Sequence, residues 1–331
     1  MKQNRLLAAT LTFIVAFVAV LSFSFFAPPE KILAAPSTQN RVVSLYDAFG
    51  KRNIRLIKDW GYSSLIEYNG KRILFDGGNN ADTFKKNVEA LGLDLKTIDF
   101  AVLSHPHADH LSGFDYLVSV NPNVKIYLPE DVNTLGASRD FAFGGPDPTA
   151  ASKLPPEERY FETGVSKAFL TPSGRFYQAK NVQYLSKNLE VAPGITLIAT
   201  KSPYLGGFNG YPPNSPEKPA LAGLPELSLA LQTSKGEVVV SGCSHTGIEK
   251  IVQATKTALG RNVDTVVGGL HLFPYDKPYI EKLAVQLKDE LGVRHVVPTH
   301  CTGHLAFGIF RKVFGKEYES GGLGSQITFS S

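Results

Sequence analysis

Leu103-Ser104-His105-Pro106-His107-Ala108-Asp109-His110 puts three imidazoles and a carboxylate within six positions. The segment directly follows the apolar run Phe100-Ala101-Val102-Leu103, and a run of that length reads as a buried strand. A strand that ends in a dense cluster of metal-ligand side chains predicts a metal site on the rim of a sheet. Imidazole nitrogen and carboxylate oxygen suit zinc, iron or manganese, and two such ions can share one rim. The plain alternative, a polar surface turn, leaves the preceding strand and the interleaved Asp109 without a reason.

Other strands end in the same way. Ser63 to Tyr68 and Arg72 to Phe75, joined by Asn69-Gly70, read as a hairpin, because Asn-Gly supplies the positive φ values of a type I′ turn. Its second strand runs into Asp76-Gly77-Gly78. Asp82 is expected to cap a helix whose Phe84, Val88 and Leu91 share one face, with Gly92 as its end. A helical stretch over 111–118 and a strand over 125–128 follow. Further on, strands at 227–232 and 237–240 lead into Gly242-Cys243-Ser244-His245. After a helix over 248–259, a strand at 263–267 leads into Gly268-Gly269-Leu270-His271. A helix over 279–291 and a strand at 295–297 then lead into Pro298-Thr299-His300-Cys301. Strand, polar rim and helix in repeated succession predict an α/β layering in which the rims converge. Of the eight histidines only His295 lies away from these rims, at the opening of a strand, and it reads as a packing or surface residue. His304, four positions past His300, reads as structural support for the site.

Residues 133–223 break the rhythm. They hold Gly144-Gly145-Pro146, Pro155-Pro156, Gly206-Gly207 and Pro212-Pro213 among many aromatics. Phe141, Phe143, Tyr160, Phe161, Phe169, Phe176, Tyr177 and Tyr184 argue against a disordered tract and for an ordered insertion that shapes a pocket over the site. A scaffold extension without ligand contact is the alternative.

The chain has 331 residues and a formal charge of +4; without residues 1–35, which hold Lys2, Arg5, Glu30 and Lys31, the charge is +2. A nearly neutral chain without a basic stripe gives nucleic-acid binding no support. Lys2 and Arg5 precede an apolar run from Leu6 to Ala27 that is followed by Ala34-Ala35-Pro36-Ser37, the layout of an export signal. The run is also long enough to span a bilayer, so an uncleaved N-terminal anchor stays open. The expected division is therefore residues 1–35 as signal or anchor and 36–331 as one domain carrying the insertion. The bulk should sit outside the cytoplasm, touching a membrane only through the leader. Cys243 and Cys301 are the two cysteines. Both stand beside histidines of the rim and read as metal ligands or their neighbours, with a disulfide between them as the alternative.

Phe75-Asp76-Gly77-Gly78, the segment 103–110 and a terminal strand ending in Pro298-Thr299-His300 resemble the metallo-beta-lactamase superfamily over roughly residues 42–310. The resemblance implies a four-layer αβ/βα sandwich with a dinuclear site at one edge. It implies His105 and His107 on the first ion, Asp109 and His110 on the second, and His300 completing it. Two departures stand out: Ala199-Thr200-Lys201-Ser202-Pro203 lacks the histidine many members carry there, and Gly242-Cys243-Ser244-His245 stands where Gly-Asp is common. The segments 242–245, 268–271 and 298–303 are similar to those of the subgroup containing dihydropterin–aminobenzene ribofuranosyl phosphate synthase. On that pattern His245 is the replacement ligand, and His271 is either a ligand or a substrate contact. The aromatic stretch and the His245 replacement differ from the antibiotic-hydrolysing branch.

One or two divalent ions are thus expected, zinc first, with manganese or iron as alternatives. Two cations lower the pKa of a shared water and clamp the attacking and leaving oxygens. Asp109 ligates one ion while orienting that water. Asp76 stands behind the ligands, accepting a proton from an imidazole and fixing its tautomer, or else serves only as a turn residue. With His271, these two carboxylates are the expected catalytic groups. The expected activity is hydrolysis of a small-molecule ester, foremost a phosphoester or phosphodiester. The subgroup implies a transferase alternative, condensation of an activated pterin pyrophosphate with a phosphorylated aminobenzene. An exported metal- or ligand-binding protein without turnover is the non-enzymatic one.

Overall fold

Val238 and Val240 face one apolar core and Val239 faces another. That period of two, in a strand buried on both sides, states the architecture in miniature. The computed structural model describes residues 33–129 except 34, 52, 54 and 106, residues 153, 155 and 158, residues 181–202, and residues 224–330.

Among the described residues, β1 (Asn40–Tyr46), β2 (Ser63–Tyr68), β3 (Lys71–Phe75), β4 (Phe100–Val102), β5 (Lys125–Pro129), β6 (Val182–Leu185) and β13 (Gln326–Phe329) form one sheet, ordered β13-β1-β2-β3-β4-β5-β6. A second sheet, ordered β12-β11-β10-β9-β8-β7, comprises β7 (Leu189–Ala192), β8 (Ile195–Ser202), β9 (Leu224–Thr233), β10 (Gly236–Ser241), β11 (Val263–Gly269) and β12 (His295–Thr299). Ile66, Ile73, Phe75 and Val102 of the first sheet meet Leu197, Leu229, Val238, Val240, Val267 and Val297 of the second in the central core. The other face of the second sheet packs against α4 (Ile248–Leu259), α5 (Lys277–Val285) and α6 (His304–Phe314) through Val239, Val266, Val296, Ile251, Leu283 and Phe310. On the first sheet α1 (Ala81–Leu91) buries Phe84, Val88 and Leu91, and its Asn87 side chain donates to Leu45 O and Ile57 O. The result is the expected helix–sheet–sheet–helix sandwich.

The hairpin turn has φ values of 47° at Asn69 and 77° at Gly70, as its sequence requires. Elsewhere the structure corrects the sequence reading. The cap of α1 is Asn80, whose side chain accepts from Asp82 N and Thr83 N, so Asp82 lies in the first turn, where its charge favours the helix dipole. The helical stretch over 111–118 is two short helices, α2 (Ala108–Leu111) and α3 (Phe114–Val120), parted at Ser112-Gly113. A Cβ on Gly113 would stand 2.3 Å from Gly77 O, so the break lets two backbone segments touch. The helix over 279–291 begins earlier, capped by Asp276, and passes into a π turn over Gln286–Glu290.

Residues 182–202 do not belong to an insertion. They supply β6, β7 and β8, with β6 pairing in parallel with β5 and β8 antiparallel with β9. Short, half-exposed edge strands such as β6 and β7 carry little alternation, which is why they read as irregular. The remaining insertion, 133–181 and 203–223, lies outside the described residues save for 153, 155, 158 and 181, and so does the leader apart from Leu33 and Ala35. Glu158 is buried, where it pairs with Arg311 and accepts from Tyr318 Oη at 3.0 Å. Among the described residues no helix is long and apolar enough to cross a membrane.

Strand direction positions the site. β3, β4, β5 and β6 run parallel, as do β10, β11 and β12. The segments after β3, β4, β10, β11 and β12 therefore leave from the carboxyl ends of their strands, the usual place for a ligand site in such sheets.

Candidate metal centre

Four strand ends turn through left-handed backbone at residues other than glycine: Asp76 (φ 59°), Ser244 (φ 62°), His271 (φ 47°) and His300 (φ 45°). Such conformations cost about 1–3 kcal/mol each and persist only where neighbours hold them. Here Ser63 Oγ donates to Asp76 O at 2.7 Å, Ser244 Oγ to Gly269 O at 2.8 Å, and His300 N to Asp47 Oδ2 at 3.0 Å. Close approach also demands glycine: a Cβ on Gly242 would lie 2.1 Å from Ser104 Oγ, and one on Gly269 2.3 Å from Gly242 O.

These turns gather the predicted ligands. One ligand atom each from His105, His107 and His245 lies within 4.8 Å of the others, and Asp109, His110 and His300 form a second such group. Across the cluster His105 Nε2 is 3.1 Å from His107 Nδ1, His110 Nε2 is 3.2 Å from His300 Nε2, and Asp109 Oδ2 is 3.3 Å from His300 Nε2. His105, His110, His245 and His300 are buried, whereas His107 and Asp109 reach solvent, one in each group. That pair marks the open face. His271 joins through a third group with Cys243 and His245, its ring 4.1 Å from that of His245. His304 is buried at the start of α6, outside all of these groups.

The donor set fits two divalent cations. Ring nitrogens that face one another at about 3 Å cannot both present lone pairs without a proton or a cation between them. Nitrogen and oxygen donors in threes, each group with an open side, match catalytic rather than closed structural sites.

The family profile described as the metallo-beta-lactamase superfamily matches residues 61–173, which contain Asp76 and the whole segment 105–110. In the solved structure of Tm1679, titled a metal-dependent hydrolase of the beta-lactamase superfamily, the same fold recurs with a TM-score of 0.63 at 26% identity, over 88% of this chain and 100% of that one. Residues 61–173 thus carry a match to the metallo-beta-lactamase superfamily, and the fold around them is that of its members. Among curated relatives, the 7,8-dihydropterin-6-methyl-4-(beta-D-ribofuranosyl)-aminobenzene-5'-phosphate synthase of Methanocaldococcus jannaschii is 28% identical over 303 residues, 87% of this chain and 96% of the relative. The uncharacterized protein MJ0448 of the same organism is 25% identical over 74% of this chain and 85% of its own length.

Within this metallo-beta-lactamase fold, Asp76 organises the ligands. It accepts from Ser104 N, Ser104 Oγ and His110 Nδ1, each at 2.7 Å. Ser104 Oγ in turn lies 2.8 Å from His105 Nδ1, so its hydroxyl donates to Asp76 and accepts from His105. Both rings are thereby held with the proton on Nδ1 and with Nε2 aimed into the centre.

Three polar neighbours were not foreseen. Trp60 Nε1 donates to Asp109 Oδ2 at 2.9 Å, and its ring lies 4.9 Å from that of His300. Asp47 is fully buried and carries the His300 turn. Glu226 accepts from His245 N and Thr246 N, fastening the loop after β10. The signals for them were faint: the chain's single tryptophan beside Gly61, and lone carboxylates at the ends of apolar runs. Trp60→Phe, which keeps an aromatic ring but no donor, is expected to lower turnover about 10- to 100-fold, the scale of a hydrogen bond to a charged group. Unchanged kcat at unchanged metal content would refute that role.

Burial, reinforced by the neighbouring imidazoles, holds His105 and His245 far below the ordinary imidazole range. Burial also opposes charge on His300, but Cys301, Asp109 and Asp47 outweigh it and raise its pKa to about 9. For Asp109, burial is overcome by His110, His300 and His107, which keep its carboxyl well below the usual range. Burial lifts Asp47 to about 7. A ligand ring must be neutral, so a proton on His300 opposes metal binding, whereas burial already disfavours one on His105 and His245. Metal uptake by the Asp109 group should therefore strengthen as pH rises toward about 9. Nitrogen-15 imidazole spectra of the metal-free protein should show a charged His300 beside neutral His105 and His245; a neutral His300 at pH 7 refutes this.

Cys243 and Cys301 are buried free thiols with their sulfurs 3.2 Å apart, not the disulfide kept as an alternative.

Proposed function

We propose that this protein is a metal-dependent hydrolase of phosphoesters or phosphodiesters that works outside the cytoplasm. The observation that carries the reading is the meeting of two three-donor groups, His105/His107/His245 and Asp109/His110/His300, each with one solvent-facing member. Divalent cations bound there, with zinc the best match to the donors, would acidify water and polarise an ester oxygen. The likeness to a metal-dependent hydrolase of the same fold supports the class. The chain's own residues supply the rest. Asp109, kept ionised by the neighbouring imidazoles and held by the Trp60 indole, would ligate one ion and orient the attacking water. Asp76 and Ser104 keep the two buried rings aimed at the ions. His271, whose ring packs against those of His245 and Phe273, would contact the substrate.

The test is hydrolysis of bis-(para-nitrophenyl) phosphate by purified, metal-loaded protein, with chelator-treated protein and the His107→Ala and Asp109→Ala variants as controls. Turnover that survives both substitutions sinks the assignment. A second reading, condensation of a pterin with an aminobenzene phosphate, rests on the synthase relative that spans most of the chain. The expected export argues against it, because pterin intermediates are made inside the cell. Inactivity on a panel of esters together with tight, metal-dependent pterin binding would favour it; metal-dependent ligand binding without turnover would favour a binding protein.

A further inference from the structure

The leader layout read from the sequence places its cut between Ala35 and Pro36, which makes Leu33 the third residue before it. The folded domain uses Leu33. Its side chain is fully buried, and its backbone is bonded on both sides. Leu33 N donates to Leu91 O at 3.0 Å, at the end of α1, and Leu33 O accepts from Arg72 Nη2 at 3.1 Å. Arg72 is only 3% exposed, and a guanidinium held away from water needs partners. Its others are Glu67, whose Oε1 is 3.0 Å from Arg72 Nε, and Thr97. Beyond the bond, Glu67 Oε1 accepts from Ser37 N at 3.1 Å. One buried cluster therefore grips the chain on both flanks of Ala35–Pro36, and the compact body of the fold begins at Leu33. A cut there would empty the Leu33 socket and take a partner from Arg72.

The bond itself is also a poor one to cut. Leu33 stands where the cleavage pattern asks for a small side chain. Pro36 has no N–H to offer an enzyme that grips its substrate as an extended strand. We propose that the chain keeps its leader and that residues 6–27 anchor the domain in a lipid bilayer. Those 22 residues carry no charge, and about 20 suffice to cross the hydrocarbon core as a helix. Lys2 and Arg5 then stay on the cytoplasmic side, which leaves the domain outside. The partner is the apolar interior of the membrane. This shares the placement outside the cytoplasm proposed above and does not depend on the reaction.

Full-length protein made in an exporting bacterial host tests this by intact mass and membrane fractionation. The mass should include residues 6–35, and detergent but not alkaline carbonate should release the protein from membranes. Leu33→Ser should lower the thermal unfolding midpoint by several degrees, as truncation of a buried side chain does. Ala35→Ser, at an exposed position, should leave it unchanged. A chain that begins anywhere from residue 7 to residue 36, release by carbonate, or a midpoint indifferent to Leu33→Ser overturns the proposal. Metal content and phosphodiester turnover of the same samples report separately on the hydrolase reading, which none of these outcomes touches.

Discussion

His110→Ala should reduce phosphodiester turnover by about 10²–10³-fold or more, the scale of losing one preorganised electrostatic group. It should also lower the bound metal from two ions per chain to one. His110 is fully buried, with Nδ1 on Asp76 and Nε2 facing His300 and Cys243, so its removal empties a donor position inside the cluster. The first group, His105, His107 and His245, does not depend on its ring and should keep its ion. Elemental analysis beside kinetics separates the outcomes. Two ions retained with activity lost would mean that His110 acts in some way other than as a ligand; full activity would remove the second group from the mechanism.

The second large effect is expected at Asp76, which lies outside the donor groups found among the described residues. Asp76→Asn keeps the volume and tolerates the left-handed backbone at φ 59°, since Asn is among the residues that adopt it readily. It replaces an acceptor of three hydrogen bonds with a group that must point an N–H toward existing donors. Ser104 then loses its fixed hydroxyl orientation, and with it the hold on His105. Metal affinity should fall about 10- to 100-fold, the usual scale for a partner standing behind a ligand histidine. Competition with a chromophoric chelator measures it. An unchanged affinity would reduce Asp76 to a turn residue, the alternative its sequence context leaves open.

The residues of the centre differ in how they became legible. His105, His107, Asp109 and His110 stand together in the chain, so spacing alone exposed them. Asp76, His245, His271 and His300 were legible because each follows an apolar run and lies within three residues of a glycine or proline. Trp60, Asp47 and Glu226 carry equally specific contacts yet stand alone in sequence, and a single carboxylate at a strand end has no periodicity to reveal it. The strands β6 and β7 were missed for a related reason: edge strands bury one side poorly, so the alternation that identifies strands is weak there. Asn80 displaced Asp82 as a helix cap because either side chain can accept from the first turn, and only the backbone decides which one does.

By itself the sequence determined the layering, the order of strands and rims, and the residue types available for chemistry, because apolar periodicity and glycine placement are local properties of the chain. Tertiary structure alone decided which rims meet, which ring nitrogen each histidine presents, and that Cys243 lies between the two donor groups. Those facts depend on parallel strand ends brought together across two sheets, and on hydrogen bonds between residues as far apart as Asp47 and His300. No spacing along the chain encodes a contact of that kind.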